Sequence, residues 1–454
     1  MPFIICLLAI FLQQTMVALT TLSIAQAAAT VSADNNPLPQ LIVFCALLLT
    51  VNLPEIIIDL EREHTKYWLL ARIVEKSAGS NYGATSSFFN KRIRSEKEPY
   101  IETELWITIS DDVSYATDAI ATLLNIVLNT LAIASCLDAS FVVALAISSC
   151  ISLIFSITSF SHIRKRASRS QSARARLFAS LRLCIPNVWI GNALNFKDWS
   201  AHLRQAEREA LHMQSRLSLV RNGLSSFSVL ASTVPFIVVV TSYSLANLNN
   251  PENLSMLIAV LPRQVSLLQN IGTIVTYAAQ LSERIARTKL VYSNLMLTEA
   301  ERNTRGVIKW DELKLSTESV TNQRNIHGIE DLGAATHGFA PGRITLRGTN
   351  GCGKSTLLAQ IKEQLGDSAF LLPANPVLYF PQLDGREASS GQAVSRALKL
   401  IESDYLDDTV TTVLLDEWDA NLDNHMRAYH DRRLSGLAQR KCIIEVLHNK
   451  HQGE

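Results

Sequence analysis

Residues 343–365 read RITLRGTNGCGKSTLLAQIKEQL, and this stretch sets the architecture of the C-terminal third of the chain. RITLRG reads as a buried strand. GTNGCGKST fits G-x-x-x-x-G-K-[ST] at Gly348, Gly353, Lys354 and Ser355, and LLAQIKEQL continues as a helix. The chemistry asks for those residue types. A loop through Thr349, Asn350, Gly351 and Cys352 lets backbone N–H groups approach phosphate oxygens, and Lys354 neutralises β/γ charge. The Ser355 hydroxyl ligates Mg2+, while the helix that starts there, with Thr356 in its first turn, adds its dipole. The pattern predicts binding of ATP or GTP.

Downstream, TTVLLDEWDANLD (residues 411–423) reads as an apolar strand ending in Asp416 and Glu417. A carboxylate at the mouth of a strand beside a phosphate loop can hold Mg2+, here Asp416. Its neighbour Glu417 can draw a proton from an attacking water as general base. A strand followed by Asp-Glu is by itself common and structural; its place about 60 residues after Lys354 lifts it above that.

Upstream, the composition changes character. Of 454 residues, 48% are apolar and 18% are charged, against about 25% charged in a soluble domain. The net charge of +1 excludes a generally basic nucleic-acid binder. The seven cysteines show no CxxC or CxH spacing, which indicates neither a disulfide framework nor a zinc site. Six stretches reach the roughly 20 apolar residues needed to cross a bilayer: about 1–33, 39–58, 119–137, 139–161, 223–247 and 254–281. The last is interrupted by Pro262 and Arg263. The first competes with a cleaved leader ending near AQAAA, but it lacks a basic flank and its apolar run is too long for one. Arg263 has two readings, a cavity contact favouring anionic ligands or a side chain snorkelling to the headgroups.

Charge placement tests the six spans independently. The connections after the first, third and fifth contain no Lys or Arg, whereas 60–110 and 162–221 are rich in both. The positive-inside rule puts those two segments, and both termini, in the cytoplasm. Helix-forming sequence such as KDWSAHLRQAEREALHMQSRLSLV continues out of the spans, which predicts long cytoplasmic helical extensions. A composition shift near Gly306 separates a membrane domain, 1–305, from a nucleotide-binding domain, 306–454.

In layout the whole chain resembles an ATP-binding-cassette half-transporter of the exporter type. GTNGCGKST looks like the Walker A loop, and LLDE the Walker B. YFPQ looks like the Q-loop, with Gln382 touching Mg2+ and the attacking water. SSGQ (389–392), with Ser390, Gly391 and Gln392, looks like the signature; DANLD looks like the D-loop; His448, 31 residues after Glu417, looks like the switch histidine. Two departures stand out. Gln382 and Ser389 are only seven apart, so the helical subdomain of the family is missing. Thr317 stands where an adenine-stacking aromatic is expected, and Trp310 is expected to pack in the strand region, with a shifted stacking role as the alternative.

The resemblance implies a membrane α-helical bundle of six transmembrane helices followed by an α/β P-loop NTPase domain. It implies an ATPase with ATP and Mg2+ as cofactors, working as a dimer with a second copy or a homologous half-transporter. Such a protein is multi-pass in the cytoplasmic membrane and moves an unidentified substrate, most simply outward. The alternative is a nucleotide-binding regulatory or inactive subunit of a heterodimer. Coupling turns are expected within 93–113 and 190–203, by position alone.

Overall fold

A computed structural model describes the backbone of all residues except 303–305, 318–319, 326–327, 336–337, 375–377, 384–389 and 448–454. Its helices run α1 (Pro2–Ser32), α2 (Leu38–Thr50), α3 (Leu53–Asn81), α4 (Thr85–Phe89), α5 (Lys91–Pro99), α6 (Leu105–Cys136), α7 (Ser140–Arg182), α8 (Cys184–Trp189), α9 (Ala193–Ala246), α10 (Pro251–Leu295) and α11 (Glu299–Arg302). There follow β1 (Lys314–Thr317), β2 (Val320–Asn325), α12 (Ile329–Ala335), β3 (Gly342–Arg347), α13 (Lys354–Leu365), β4 (Ala369–Leu372), α14 (Ser390–Leu400), β5 (Thr412–Asp416), α15 (Asn424–Leu437) and β6 (Cys442–Val446). The chain forms two compact units. One comprises 1–74 and 103–292; the other comprises 75–102 and 293–454.

The first unit is entirely helical. Five stretches, Pro2–Ser32, Leu38–Asn81, Lys91–Cys136, Ala193–Ala246 and Pro251–Arg302, are each long and apolar enough to cross a membrane. The expected fourth span falls in α7, whose apolar part among the described side chains is Ser140–Ser152, shorter than a span. Helix α10 does not break at Pro262. The ring removes one ladder hydrogen bond, which a long helix in a packed bundle tolerates. At 1.5 Å per residue the 54 residues of α9 reach about 80 Å, far beyond a bilayer core about 30 Å thick. Helices α7 and α9 lie antiparallel. Ser148 Oγ donates to Ser232 O at 2.6 Å and Ser170 Oγ to Gln214 Oε1 at 2.7 Å, so partners advance along one helix as they retreat along the other.

The second unit is a mixed sheet of order β2-β1-β3-β6-β5-β4. Strands β3, β6, β5 and β4 are parallel, while β1 runs antiparallel to both its neighbours. Alternation divides the side chains between two cores. Ile344, Leu346, Leu414, Cys442, Ile444 and Val446 meet Leu357, Leu358 and Ile361 of α13 on one face. Val413, Leu415 and Ile443 meet α14 and α15 on the other, through Val394, Leu398, Leu434 and Leu437. Strands covered on both faces must be apolar throughout, which is why VLL and CII read as continuous runs. Trp310 packs partly buried against the first of these cores, as expected from the sequence.

Candidate functional site

The parallel strands present their C-terminal ends together, the position at which open α/β sheets bind ligands. Strand β3 leads there into the loop 348–353 and then α13. Two glycines make the turn. Gly351 and Gly353 have φ of +81° and +100°, which side-chain-bearing residues rarely adopt. Gly348 has no room for a side chain, since a Cβ there would lie 2.6 Å from Cys352 Sγ and 2.8 Å from Glu312 O. Cys352 is fully buried as a small apolar residue, and its carbonyl accepts from Lys309 N at 2.9 Å. Thr349 is tied by its hydroxyl to Glu312, and that bond holds the Glu312 carboxyl below its ordinary pKa.

Lys354 opens α13 and is buried, its Nζ donating to the carbonyls of Gly348 at 2.9 Å and Thr349 at 3.0 Å. The ammonium is thereby held over the loop. The first-turn amides of α13, including Ser355 and Thr356, have no acceptor within the helix and face the same space. That combination of one cation, free amides and a helix dipole fits a polyphosphate.

Asp416 ends β5 and is 2% exposed. Burial pushes its carboxyl up to about 6, against the opposing pull of a hydrogen bond with Ser355, the Lys354 charge and the Ala374 backbone; the Glu417 charge adds to the rise. Its Oδ1 has no hydrogen-bond partner. A buried carboxylate with one orphaned oxygen, bonded to the Ser355 hydroxyl in the first turn of α13, fits a divalent cation. Among the described residues no three His, Cys, Asp or Glu side chains converge on one point. Mg2+ asks for no such cage, since it is held by one or two carboxylates together with substrate phosphates.

Glu417 follows with φ +45°, a strained value for a residue other than glycine. Its N–H bonds Val446 O of β6 at 2.9 Å, and its carbonyl accepts from Ala420 N at 3.1 Å. Those bonds fix the turn that places Glu417 at the mouth of the sheet. Behind it Trp418 is buried and donates Nε1–H to Glu445 Oε2 at 2.9 Å. Asp419 pairs with Arg427, and Asp423 caps α15 through Met426 N at 2.7 Å.

The remaining candidates are more dispersed. Gln382 is exposed and donates to Asp404 Oδ2 at 3.3 Å, with no hydrogen bond to Ser355 or Asp416 among the described residues. Ser390, Gly391 and Gln392 open α14, and Gly391 lies against the backbone of Asn421, where a Cβ would clash. That contact ties SSGQ to DANLD within one chain. Ser389 and His448 lie outside the described residues. The preceding strand β6 sits between β3 and β5, so the chain emerges from it between the loop and the Asp416–Glu417 corner.

Two features carry no signal in the sequence. Arg343, buried at the start of β3, donates to Glu445 through Nε (2.9 Å) and Nη2 (3.0 Å), and to Asp431 Oδ1 (2.6 Å) and Ser435 Oγ (2.9 Å). Thr345 Oγ1 adds a bond to Glu445 at 3.0 Å. This network bolts β3, β6 and α15 together beneath the site. Second, α4 rests on α13. Glu363 accepts Ser86 N at 2.6 Å and Ser86 Oγ at 2.8 Å, Tyr82 OH donates to Asp367 at 3.1 Å, and Ser87 Oγ donates to Glu301 O at 3.0 Å. The contact falls at 82–87, upstream of the 93–113 turn expected from topology.

Neither a protein-family model nor a curated protein matches the chain. The functional reading therefore stands on these residues and their geometry.

Proposed function

We propose that the chain is one subunit of a dimeric, ATP-driven membrane transporter with six membrane-spanning helices, most simply an exporter. The observation that carries the reading is the orphaned, buried Asp416 Oδ1 beside the Ser355 hydroxyl and the Lys354 ammonium, at the C-terminal ends of parallel strands. The 82–87 turn, from the basic connection between two apolar helices, bonds the helix that begins with Lys354. A change at the phosphate loop thus has a short path, along α13, to the segment leading into the membrane.

In this reading the amides of 349–356 and Lys354 bind the β- and γ-phosphates of ATP. Ser355 and Asp416 would hold Mg2+, with Gln382 as a further ligand, and the ion would supply charge neutralisation for the phosphates. Glu417 takes a proton from water as the water oxygen bonds the γ-phosphorus and the bond from that phosphorus to the bridging oxygen breaks, leaving ADP and phosphate. His448 is assigned to the γ-phosphate from its place after β6, and Ser390, Gly391 and Gln392 to the nucleotide of the partner chain.

The test is ATPase activity of the full chain in lipid nanodiscs, wild type against Glu417→Gln, with oligomeric mass measured on the same sample. Turnover that falls by about 100-fold or more in the variant while dimers persist supports the reading, a loss within the range of one general base. A folded, nucleotide-binding wild-type dimer with no turnover overturns it in favour of a regulatory subunit.

A further inference from the structure

Three helices of the first unit share a polar ladder inside the bundle. Gln14 and Thr21 lie seven apart on α1, Asn125 and Asn129 four apart on α6, and Arg263 and Asn270 seven apart on α10, so each pair shares one helix face. Asn125 Nδ2 donates to Gln14 Oε1 at 2.6 Å, and Asn270 Nδ2 donates to Asn125 Oδ1 at 3.0 Å. One turn further along, Asn129 Oδ1 accepts both Thr21 Oγ1 and Arg263 Nε at 2.9 Å. Residues 14–21, 125–129 and 263–270 fall near the midpoints of the apolar stretches 1–33, 119–137 and 254–281, which places the ladder, about 10 Å long, toward the middle of the proposed spans rather than at their ends.

The amides and the hydroxyl find partners in one another and in adjacent groups, such as the Asn125 carbonyl that accepts Asn129 Nδ2 at 2.9 Å, as polar residues between membrane helices usually do. Arg263 is the departure. Its guanidinium is turned to Asn129 inside the bundle, where Nη2 is buried without a hydrogen-bond partner, so it does not reach a headgroup layer along its own helix. Among the described residues no Asp or Glu pairs with it. The neighbouring Gln264 is fully buried, with both amide atoms unpartnered. A full positive charge at this depth is costly without a counter-charge. The neutral Asn129 oxygen supplies a hydrogen bond but no counter-charge.

We propose that Arg263 is the recognition point for the oxyanion of an anionic amphiphile, held between α1, α6 and α10 with Asn129 and Thr21 orienting the guanidinium. A guanidinium offers parallel N–H groups that match a carboxylate or phosphate, while the apolar bundle around it accepts an alkyl tail. The same chemistry comes from a free fatty-acid-like molecule or from an anionic lipid headgroup. The inference rests on the reading of the helical unit as membrane-embedded, and it names the substrate class of the proposed transporter.

The experiment measures saturable binding of radiolabelled laurate, and of dodecyltrimethylammonium as the cationic control, to the full chain in phosphatidylcholine nanodiscs, with empty nanodiscs subtracted. Arg263→Gln removes the charge. Asn129→Asp keeps the acceptor but installs a resident counter-charge, so a folding failure in one variant does not decide the matter. The expected result is laurate binding by the wild type, weakened about tenfold or more in each variant, and no saturable binding of the cation. Nanodiscs containing phosphatidylglycerol separate the sources. If this lipid displaces laurate and native mass spectrometry finds it retained on the wild type but not on Arg263→Gln, a headgroup is the occupant; if laurate binding is unaffected, a free amphiphile is. Equal laurate affinity in all three chains overturns the inference, as does the absence of laurate binding together with equal lipid retention. ATP binding on the same samples separates this failure from that of the nucleotide reading, since each can be lost while the other persists.

Discussion

Asp416 carries the cost of the site in its own titration. A carboxyl lifted from 3.8 to about 6 by burial makes the folded, ionised form about 3 kcal/mol less stable than an exposed carboxylate would. Because the folded state holds the proton more tightly than the unfolded chain, this penalty is absent below pH 4. It grows between pH 4 and about 6 and is complete above. Asp416→Asn should therefore raise nucleotide-free stability at pH 7.5 by about 2 kcal/mol while abolishing Mg2+-dependent nucleotide binding. Its denaturation midpoint should also lose part of the wild type's decline between pH 4 and 6. Denaturant titrations across that range, with and without Mg2+ and nucleotide, read both effects; an asparagine variant that is less stable at every pH would show that the buried charge is already balanced. Gly353 offers a cleaner backbone test. At φ +100°, with a Cβ position 2.9 Å from Val307 O, Gly353→Ala should cost about 2 kcal/mol and slow nucleotide association more than Ser355→Ala does.

Between elements, the legible and the hidden divide by sequence distance. Strands β3 and β5 were readable because doubly covered strands are continuous apolar runs, and α13 because it follows a glycine loop. Gly348, Gly353, Lys354, Ser355, Asp416 and Glu417 were singled out by local spacing and strand ends, and the structure places them together at the C-terminal ends of the parallel strands. The Arg343–Glu445 bond joins residues 102 apart, and Ser86–Glu363 joins residues 277 apart. No periodicity encodes such partners; Arg343 looked like any strand-edge cation. Both are testable. Arg343→Ala strands the buried Glu445 carboxylate and should destabilise the second unit by about 3–5 kcal/mol, far more than a surface Arg would. Glu363→Ala leaves Ser86 N–H without its acceptor. Hydrogen exchange across 82–90 should then accelerate by about tenfold or more, a cost of about 1–2 kcal/mol, while nucleotide affinity changes little. Exchange unchanged in that turn would show that the docking of α4 rests on apolar contact instead.

At the scale of the whole chain, hydropathy and charge make separate claims about sidedness, and the proposed six crossings rest on the second. Among the described residues, five helical stretches are long and apolar enough to span. An odd number would place 60–110 and 162–221, both rich in Lys and Arg, on opposite sides or force one terminus outside. Helix α7 decides the parity, since it continues unbroken from Ser140 to Arg182 and can carry the chain across even though its described apolar part ends at Ser152. With it crossing, the turn at 247–250, which lacks Lys and Arg and joins α9 to α10, lies outside and Ser95 on α5 lies inside. Asn249→Cys should then react with a membrane-impermeant maleimide in intact cells, above the background of the native cysteines. Ser95→Cys should react only after permeabilisation. Labelling of both positions from the same side would remove α7 from the count of spans, put the basic segments on opposite faces, and separate the loop at Gly348 from the cytoplasmic nucleotide that the proposed transporter needs.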